Sequence, residues 1–246
     1  MEQEKDSKGI NNINSNFLQL NKVVFYGRTL LEYQQMFELD DLSLLKKYKI
    51  LDCPAGPSSF VAEASKRGIH AIGCDPLFGK DIKPLVEHAK LDIELVLEKI
   101  SQVPHLYNWD FYKSIDGLRE CRKKALQLFE LDYPIGYNLG KRYIKAELPI
   151  LPFADDSFDL VLSANLLFYY SDQFDYSFHL DSILELLRVC SKEVRIYPIQ
   201  GPYNYPYEYL DDLLSDLKKK DIVVKIVPCL HEFQLGVNEM LCLSHY

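Results

Sequence analysis

The sequence predicts a doubly wound α/β fold, in which a mostly parallel sheet carries helices on both faces. Strand-like and helix-like patterns alternate along the chain, which is the signature of this fold class. The strand candidate from Phe158 to Ser163 is apolar at nearly every position, as expected for a central strand that is covered on both faces. Hydrophobic residues make up 48% of the 246 positions, which is enough for a large core. The length predicts one domain over residues 17–246 with an insertion.

The predicted elements follow one another from the first strand to the last. The strand that ends at Asp52 breaks at Pro54 and Gly56, and the next helix has Ser58 or Ser59 as its N-cap. Strands are predicted at 48–52, 69–75, 142–148, 158–163, 193–198, 222–227 and 239–244, and helices at 59–67, 85–100, 118–131, 173–189 and 207–220.

One connection is much longer than its fold requires. Between Asp75 and Glu147 lie 71 residues, whereas a strand–helix–strand unit needs about 30 in total. Because this segment carries helical patterns, we expect a helical insertion over about 80–140.

Composition excludes several classes of protein. The net charge of −8 argues against a nucleic-acid partner, because such proteins carry basic surfaces. The six cysteines include no Cys-x-x-Cys pair, so no zinc site or disulfide framework is predicted, and we expect no metal. The polar residues 1–16 lack the apolar core of a signal peptide and predict a disordered tail. No apolar stretch reaches the length of a membrane span, so we expect a cytoplasmic protein.

Two acidic residues mark the expected binding edge of the sheet. Ligands of open parallel sheets bind outside the carboxyl ends of the strands, near the point where strand order reverses. The turn after Asp52 lies at that edge, and Asp75 closes the next strand 19 residues after Gly56. A carboxylate at this place can accept hydrogen bonds from the ribose hydroxyls of an adenosine, although Asp before Pro is also a common start of a turn.

Two segments resemble a known family. The stretch from Ile50 to Asp75 resembles the first two motifs of the class I S-adenosylmethionine-dependent methyltransferases, and residues 151–161, Leu-Pro-Phe-Ala-Asp-Asp-Ser-Phe-Asp-Leu-Val, resemble the segment that leads into their fourth strand. The resemblance covers about 45–246 without most of the insertion. It implies seven strands with an antiparallel last strand. Residues 26–29, Tyr-Gly-Arg-Thr, and a cap helix over about 29–38 resemble the start of an uncharacterised bacterial subgroup.

The resemblance implies S-adenosylmethionine as the cofactor and assigns roles to individual residues. Asp52 would bind or orient the methionine amino group, Asp75 would hold the ribose hydroxyls, and Glu147 would contact the adenine amino group. Arg28 could reach the cofactor carboxylate, with a surface arginine as the alternative. The expected cofactor-binding residues are Arg28, Asp52, Ala55, Gly56, Ser58, Asp75, Glu147, Ser163, Ala164 and Asn165.

The turn after the first strand departs from the family pattern. The family has glycines at alternate positions, where this chain has Pro54, Gly56 and Ser58. Ser58 is small, but Pro54 fixes φ and removes an N–H donor, which weakens the inference of cofactor binding.

The sequence offers two catalytic candidates, His179 and Tyr170. A neutral imidazole at His179 could remove a proton from the acceptor, with a structural histidine as the alternative. Tyrosines are frequent after the fourth and fifth predicted strands, and as a group they indicate an aromatic acceptor pocket that would attract a sulfonium. Half-buried rim residues are the alternative for each one. These are Tyr169, Tyr170, Tyr203, Tyr205, Tyr207 and Tyr209.

The function predicted from the sequence is methyl transfer to the oxygen or nitrogen of a small molecule. The alternative is a catalytically silent protein that binds the cofactor and acts through partners. A nicotinamide-dependent oxidoreductase is disfavoured, because Gly56 stands alone where a Gly-x-Gly-x-x-Gly pattern is needed. The acceptor and the oligomeric state stay open at this stage.

Overall fold

The computed structural model describes residues 18, 20–201 and 204–246. The predicted disordered tail, 1–16, and Tyr203 lie outside the described residues. In the described part of the chain, no helix has both the length and the apolar character that crossing a membrane requires.

A seven-stranded sheet forms the centre of the fold and confirms the predicted fold class. Its order is β3-β2-β1-β4-β5-β7-β6, and β7 runs antiparallel to both of its neighbours while the other pairs are parallel. The strands are β1 (Lys49–Asp52), β2 (His70–Asp75), β3 (Tyr143–Lys145), β4 (Phe158–Ala164), β5 (Cys190–Tyr197), β6 (Ile222–Pro228) and β7 (Glu239–His245).

Helices cover both faces of this sheet. They are α1 (Leu30–Phe37), α2 (Leu42–Leu45), α3 (Phe60–Lys66), α4 (Ile82–Gln102), α5 (Ile115–Asn138), α6 (Tyr176–Arg188) and α7 (Leu210–Lys218), with a 3₁₀ turn at Pro104–Leu106. Buried residues of α1, α3, α4 and α5 form one core with Ile50, and those of α6 and α7 form a second core with Leu51. Adjacent residues of β1 therefore point to opposite faces, as the period of two in a strand requires.

The position of the site follows from the place where the strand order reverses, between β1 and β4. From β1 the chain builds outward through β2 and β3, and it then returns to pair β4 with the other side of β1, in the register Leu51 to Val161. The carboxyl ends of β1, β2 and β4 consequently lie side by side, which is where ligands bind in such sheets.

Several elements begin or end at residues other than those predicted, and the differences at β3 and at the start of α3 bear on the site. β3 is shorter than the predicted 142–148, because it is an edge strand that pairs only with β2, and Glu147 instead forms an isolated bridge with Ile150. The first turn of α3 has no side-chain cap: the Ser59 hydroxyl donates to Glu63 at 2.7 Å, and Ser58 accepts from the N–H of Arg28. Ser59 is the N-cap residue, at one of the two predicted positions, but neither serine hydroxyl caps a backbone N–H of the helix, because both bond elsewhere.

The N-terminal helix and the insertion pack together over the carboxyl ends of the strands. α1 begins with a capping box, in which Thr29 and Glu32 satisfy one another's backbone N–H groups. The segment predicted as an insertion contains α4, the 3₁₀ turn and α5. The guanidinium of Arg122 on α5 is buried and pairs with Glu32 of α1, so the two additions to the sheet are joined by an ion pair.

Candidate functional site

A cavity of about 510 Å³ lies at the carboxyl ends of β1, β2 and β4. Its volume is within the usual range for small-molecule sites, about 300–1,000 Å³. The strand ends and the turn after β1 supply one wall, and the N-terminal segment before α1 covers them. The insertion, the connection between β4 and α6 and the connection between β6 and β7 supply further walls.

The turn after β1 and the end of β2 are bonded to each other. Gly56 has φ +53°, a left-handed conformation that favours glycine. Its N–H donates to one carboxylate oxygen of Asp75 at 3.0 Å, and the N–H of Leu77 donates to the other at 2.9 Å. Burial raises the pKa of Asp75, the two N–H bonds lower it and the charge of Glu147 raises it, and the net value is about 6. Each oxygen of Asp75 keeps a lone pair for a ligand donor.

The N-terminal segment lies directly on the turn after β1. An added Cβ on Gly27 would meet the carbonyl oxygen of Pro57 at 2.2 Å, so only glycine permits this approach. The N–H of Arg28 donates to the Ser58 hydroxyl at 3.1 Å, and its carbonyl accepts from the N–H of Ser59 at 2.9 Å. The residue pattern Tyr-Gly-Arg is thereby fixed against the turn.

Arg28 brings a positive charge to the cavity. Its guanidinium lies 5.6 Å from the ring centre of Tyr26, within the range of a cation–π contact. Within the described residues it forms no ion pair, unlike the other two cationic side chains of the cavity wall, Arg122 and Lys22, which pair with Glu32 and Asp92. Arg28 is therefore the cation that can bind an anionic ligand group.

Asp52 lies behind a tyrosine instead of facing the cavity. Its side chain is fully buried, and both of its carboxylate oxygens lie 3.0 Å from the hydroxyl of Tyr33 on α1. Burial raises the pKa of Asp52 well above its usual range, and the Tyr33 hydroxyl opposes this. Tyr33 lines the cavity and Asp52 does not. Tyr33 therefore lies between Asp52 and the cavity.

Nine of the twelve site residues predicted from the sequence line this one cavity. They are Arg28, Ala55, Gly56, Ser58, Asp75, Glu147, Ala164, Asn165 and Tyr170. Asp52, Ser163 and His179 do not. Ser163 is fully buried, and its hydroxyl has no hydrogen-bond partner among the described residues. Asn165 faces the cavity because β4 ends there in a left-handed conformation, at φ +53°.

His179 is held away from the cavity by the core of α6. Its ring is fully buried and stacks on Tyr207, with ring centres 4.4 Å apart. Its two nitrogens lie 2.7 Å from the carbonyl oxygen of Asp175 and 2.9 Å from that of Leu167. These contacts are those of a structural histidine, and His179 has no part in the proposed reaction.

The tyrosines expected at the mouth divide into two groups. Tyr169 and Tyr170 line the cavity. Tyr205 and Tyr209 are largely exposed and Tyr207 packs on His179, and none of these three lines it. The described tyrosines after β5 therefore do not extend the aromatic wall.

Other aromatic side chains of the cavity come from parts of the chain distant in sequence. The connection between β6 and β7 docks on the insertion, where the N–H of Asn108 donates to the carbonyl of Phe233 at 2.7 Å. This contact places Phe233 with its ring centre 4.7 Å from those of Tyr107 and Tyr112. His231 from the same connection also lines the cavity. Sequence patterns do not reveal these contacts, because they join residues more than 100 positions apart.

The described residues contain no group of three or more His, Cys, Asp or Glu side chains that could hold a metal ion.

Comparison with known proteins decides the family. No family model matches the chain. An uncharacterised protein of Methanocaldococcus jannaschii is 32% identical over 228 residues, which are 92% of this chain and 98% of the archaeal protein. The chain belongs to the family of this archaeal protein. Because this family member is archaeal, the narrower resemblance to a bacterial subgroup stays a prediction.

Solved structures with a similar fold include methyltransferases. An S-adenosylmethionine-dependent methyltransferase of Aquifex aeolicus is 14% identical, with 86% of this chain and 92% of that chain covered and a TM-score of 0.44. Magnesium protoporphyrin IX methyltransferase of Synechocystis, solved with bound S-adenosylmethionine, is 10% identical, with 88% and 81% covered and a TM-score of 0.46. Likenesses at this level concern the fold alone.

Proposed function

We propose that this family member is an S-adenosylmethionine-dependent methyltransferase that acts on a small molecule. The observation that carries the proposal is the joint position of Gly56, Asp75 and Glu147 on one cavity at the carboxyl ends of β1 and β2. The family resemblance of residues 50–75 and 151–161 supports the same reaction.

The residues present fit the adenosyl half of the cofactor. Asp75 keeps free lone pairs for the two ribose hydroxyls while the backbone N–H groups of Gly56 and Leu77 hold its carboxylate in place. Glu147 is exposed at the same end of the cavity and can accept from an adenine amino group. Pro54 lies in the cavity wall, and its missing N–H costs nothing where the ligand contact is apolar.

The methionine half would lie between the N-terminal segment and the end of β4. Arg28 can pair with the carboxylate in a two-pronged contact. The Tyr33 hydroxyl, held by Asp52, presents an oxygen to the amino group. Ala164 and Asn165 would lie beside the reacting centre, where Tyr169 and Tyr170 add aromatic faces. Aromatic faces attract a cation by about 0.5–2 kcal/mol.

When bound, S-adenosylmethionine supplies a methyl group on a positively charged sulfur. The protein's own contribution is alignment of the acceptor with that methyl group and exclusion of water. Orientation of two reactants can contribute roughly 7–11 kcal/mol to a barrier. α1 and the insertion, joined by Glu32 and Arg122, close over the strand ends and can supply that enclosure.

Calorimetric titration with S-adenosylmethionine and S-adenosylhomocysteine tests the proposal. We expect one site per chain and a loss of about 1.5–3 kcal/mol, roughly tenfold or more, in Asp75→Asn, because hydrogen bonds to a charged group are lost. Asp181→Asn changes an exposed acid on α6 and should bind like the parent. Equal affinities in the parent and Asp75→Asn would refute the assignment of Asp75.

A further inference from the structure

A second region of the cavity is built by residues that the cofactor does not require. We name it the aromatic lobe and define it by Tyr107, Tyr112, His231, Phe233 and Gln234. Phe233 contacts both tyrosine rings, and the ring centres of Tyr112 and His231 are 6.4 Å apart. Tyr107 and Gln234 form an isolated antiparallel bridge. The lobe therefore depends on the docking of the β6–β7 connection on the insertion, and not on the strand ends.

Several polar atoms of the aromatic lobe have no partner. The Tyr107 hydroxyl and Nε2 of Gln234 are buried without a hydrogen bond to the described residues. His231 is 5% exposed as a whole residue, and its ring nitrogens form no hydrogen bond within the described part of the chain. A buried polar group without a partner costs about 1–3 kcal/mol. Two such groups, Tyr107 and Gln234, on one cavity wall with the unbonded imidazole of His231 indicate a ligand that bonds there.

The charges around the aromatic lobe are neutralised. Glu32 and Arg122 pair with one another, and the Tyr112 hydroxyl donates to Glu32. Burial lowers the pKa of His231, the charge of Glu32 raises it, and Arg28 and Arg122 lower it, so that the net pKa is about 4. Its imidazole is therefore neutral near pH 7 and has a lone pair available as a hydrogen-bond acceptor. In the proposed function, Arg28 is occupied by the cofactor carboxylate, so no free charge is left for the acceptor.

We infer that the aromatic lobe is the acceptor subsite and that it takes an uncharged molecule with a flat, apolar body whose hydroxyl is held by His231. This inference rests on the proposed function. The flat body would lie against the face of the cluster that Tyr107, Tyr112 and Phe233 form, and the hydroxyl would donate to a ring nitrogen of His231.

The inference makes the reaction an O-methylation with His231 as the proton acceptor. A lone pair of the hydroxyl oxygen forms the bond to the methyl carbon, and the electron pair of the broken carbon–sulfur bond stays with sulfur. The hydroxyl proton passes to His231 and later to solvent. A methylated oxygen that still carries its proton is a far stronger acid than imidazolium, so a weakly basic imidazole suffices. Methylation of an alkylamine would instead give an ammonium ion. This ion is a weaker acid than the imidazolium of His231, so it would keep its proton.

Three probes with the same ring body test the chemistry of the lobe. We choose 2-naphthol, 2-naphthoate and 2-naphthylmethylamine, which carry a hydroxyl, a negative charge and a positive charge. Binding is measured by calorimetry with and without S-adenosylhomocysteine. We expect 2-naphthol to bind at least tenfold more tightly than either charged probe. Equal or tighter binding of a charged probe, or no binding of any of the three, would overturn the inference.

Two variants test the role of His231. His231→Gln should weaken binding of 2-naphthol at least tenfold and leave the affinity for S-adenosylhomocysteine within twofold of the parent. His105→Gln alters an exposed histidine that does not line the cavity and should change neither affinity. Unchanged binding of 2-naphthol in His231→Gln refutes the role of His231.

The remaining outcomes also decide between the two proposals. If S-adenosylhomocysteine does not bind, the proposed function fails, and the probe preference measured without it still decides the lobe. If His231→Gln does not fold, a crystal structure of the unchanged protein with 2-naphthol replaces it. The hydroxyl is expected within hydrogen-bond distance of a ring nitrogen of His231, and a hydroxyl bound elsewhere contradicts the inference.

Discussion

The ion pair between Glu32 and Arg122 is buried where α1 meets the insertion. Both side chains are 1% exposed or less. Glu32 also accepts from the Thr29 N–H at 2.7 Å and from the Tyr112 hydroxyl, and Arg122 donates to the carbonyl of Gly27. Substitution of Glu32 by glutamine would leave the guanidinium buried without its countercharge. Removal of one partner of a buried pair costs about 3–5 kcal/mol.

The pKa of Glu32 gives a second measure of the same interaction. Burial raises the pKa, but Arg122, the Thr29 N–H and the Tyr112 hydroxyl outweigh it and lower the value from 4.5 to about 2. A difference of 4.5 − 2, or about 2.5 pH units, corresponds to about 3.5 kcal/mol at about 1.4 kcal/mol per unit. Because the folded-state pKa is depressed, this stability is present above pH 4.5 and is lost as the pH falls towards about 2.

Urea unfolding at pH 7 measures the effect. We expect Glu32→Gln to lower the free energy of unfolding by about 3–5 kcal/mol. Glu120→Gln removes the exposed partner of Lys123 and should cost less than about 0.5 kcal/mol. Adding Arg122→Met to Glu32→Gln should recover part of the loss, since no charge is then left buried. A free energy of unfolding of Glu32→Gln within about 0.5 kcal/mol of the parent would show that the pair does not hold α1 on the insertion.

Three further predictions concern the cavity wall. Gly27→Ala brings a Cβ to 2.2 Å from the Pro57 carbonyl, so we expect a loss of about 1–3 kcal/mol in stability and weaker binding of S-adenosylhomocysteine; binding at parental strength would contradict the close approach. The affinity for S-adenosylhomocysteine should fall as the pH is lowered through about 6, because Asp75, with a pKa of about 6, then becomes protonated. At pH 5 the affinity should be roughly one tenth of its value at neutral pH. Calorimetric titrations at several pH values should show this fall in the parent and not in Asp75→Asn. Tyr33→Phe leaves Asp52 without its donor and should lower the free energy of unfolding by about 1–3 kcal/mol, whereas Tyr209→Phe, at an exposed position, should unfold like the parent.

The sheet could be predicted from the sequence because its signals are local. The apolar run at Phe158 and the breaks at Pro54 and Pro76 mark strands and their ends within a few residues. The position of Asp75 at the end of β2 follows from the same local pattern, and the structure places it in the cavity. The predicted range of β3 is too long, because the length of a strand depends on its pairing and β3 has only one neighbour.

The polar contacts of the site could not be predicted, because they depend on packing between distant segments. Nothing near Asp52 in the sequence indicates that Tyr33 covers it. Its place after β4 makes His179 a candidate base in the sequence, but in the structure α6 turns the imidazole ring into the core. His231 lies after β6 and gains its place on the cavity only because the β6–β7 connection docks on the insertion. Residue type therefore identifies candidate site residues, and tertiary packing decides which of them face the cavity.

A crystal structure with S-adenosylhomocysteine shows directly whether the cavity holds an adenosyl group. The proposed function predicts the ribose hydroxyls on the carboxylate of Asp75, the adenine beside Glu147 and the ligand carboxylate against Arg28. A cavity that stays empty at saturating ligand, or an adenosyl group bound away from Asp75, would contradict it.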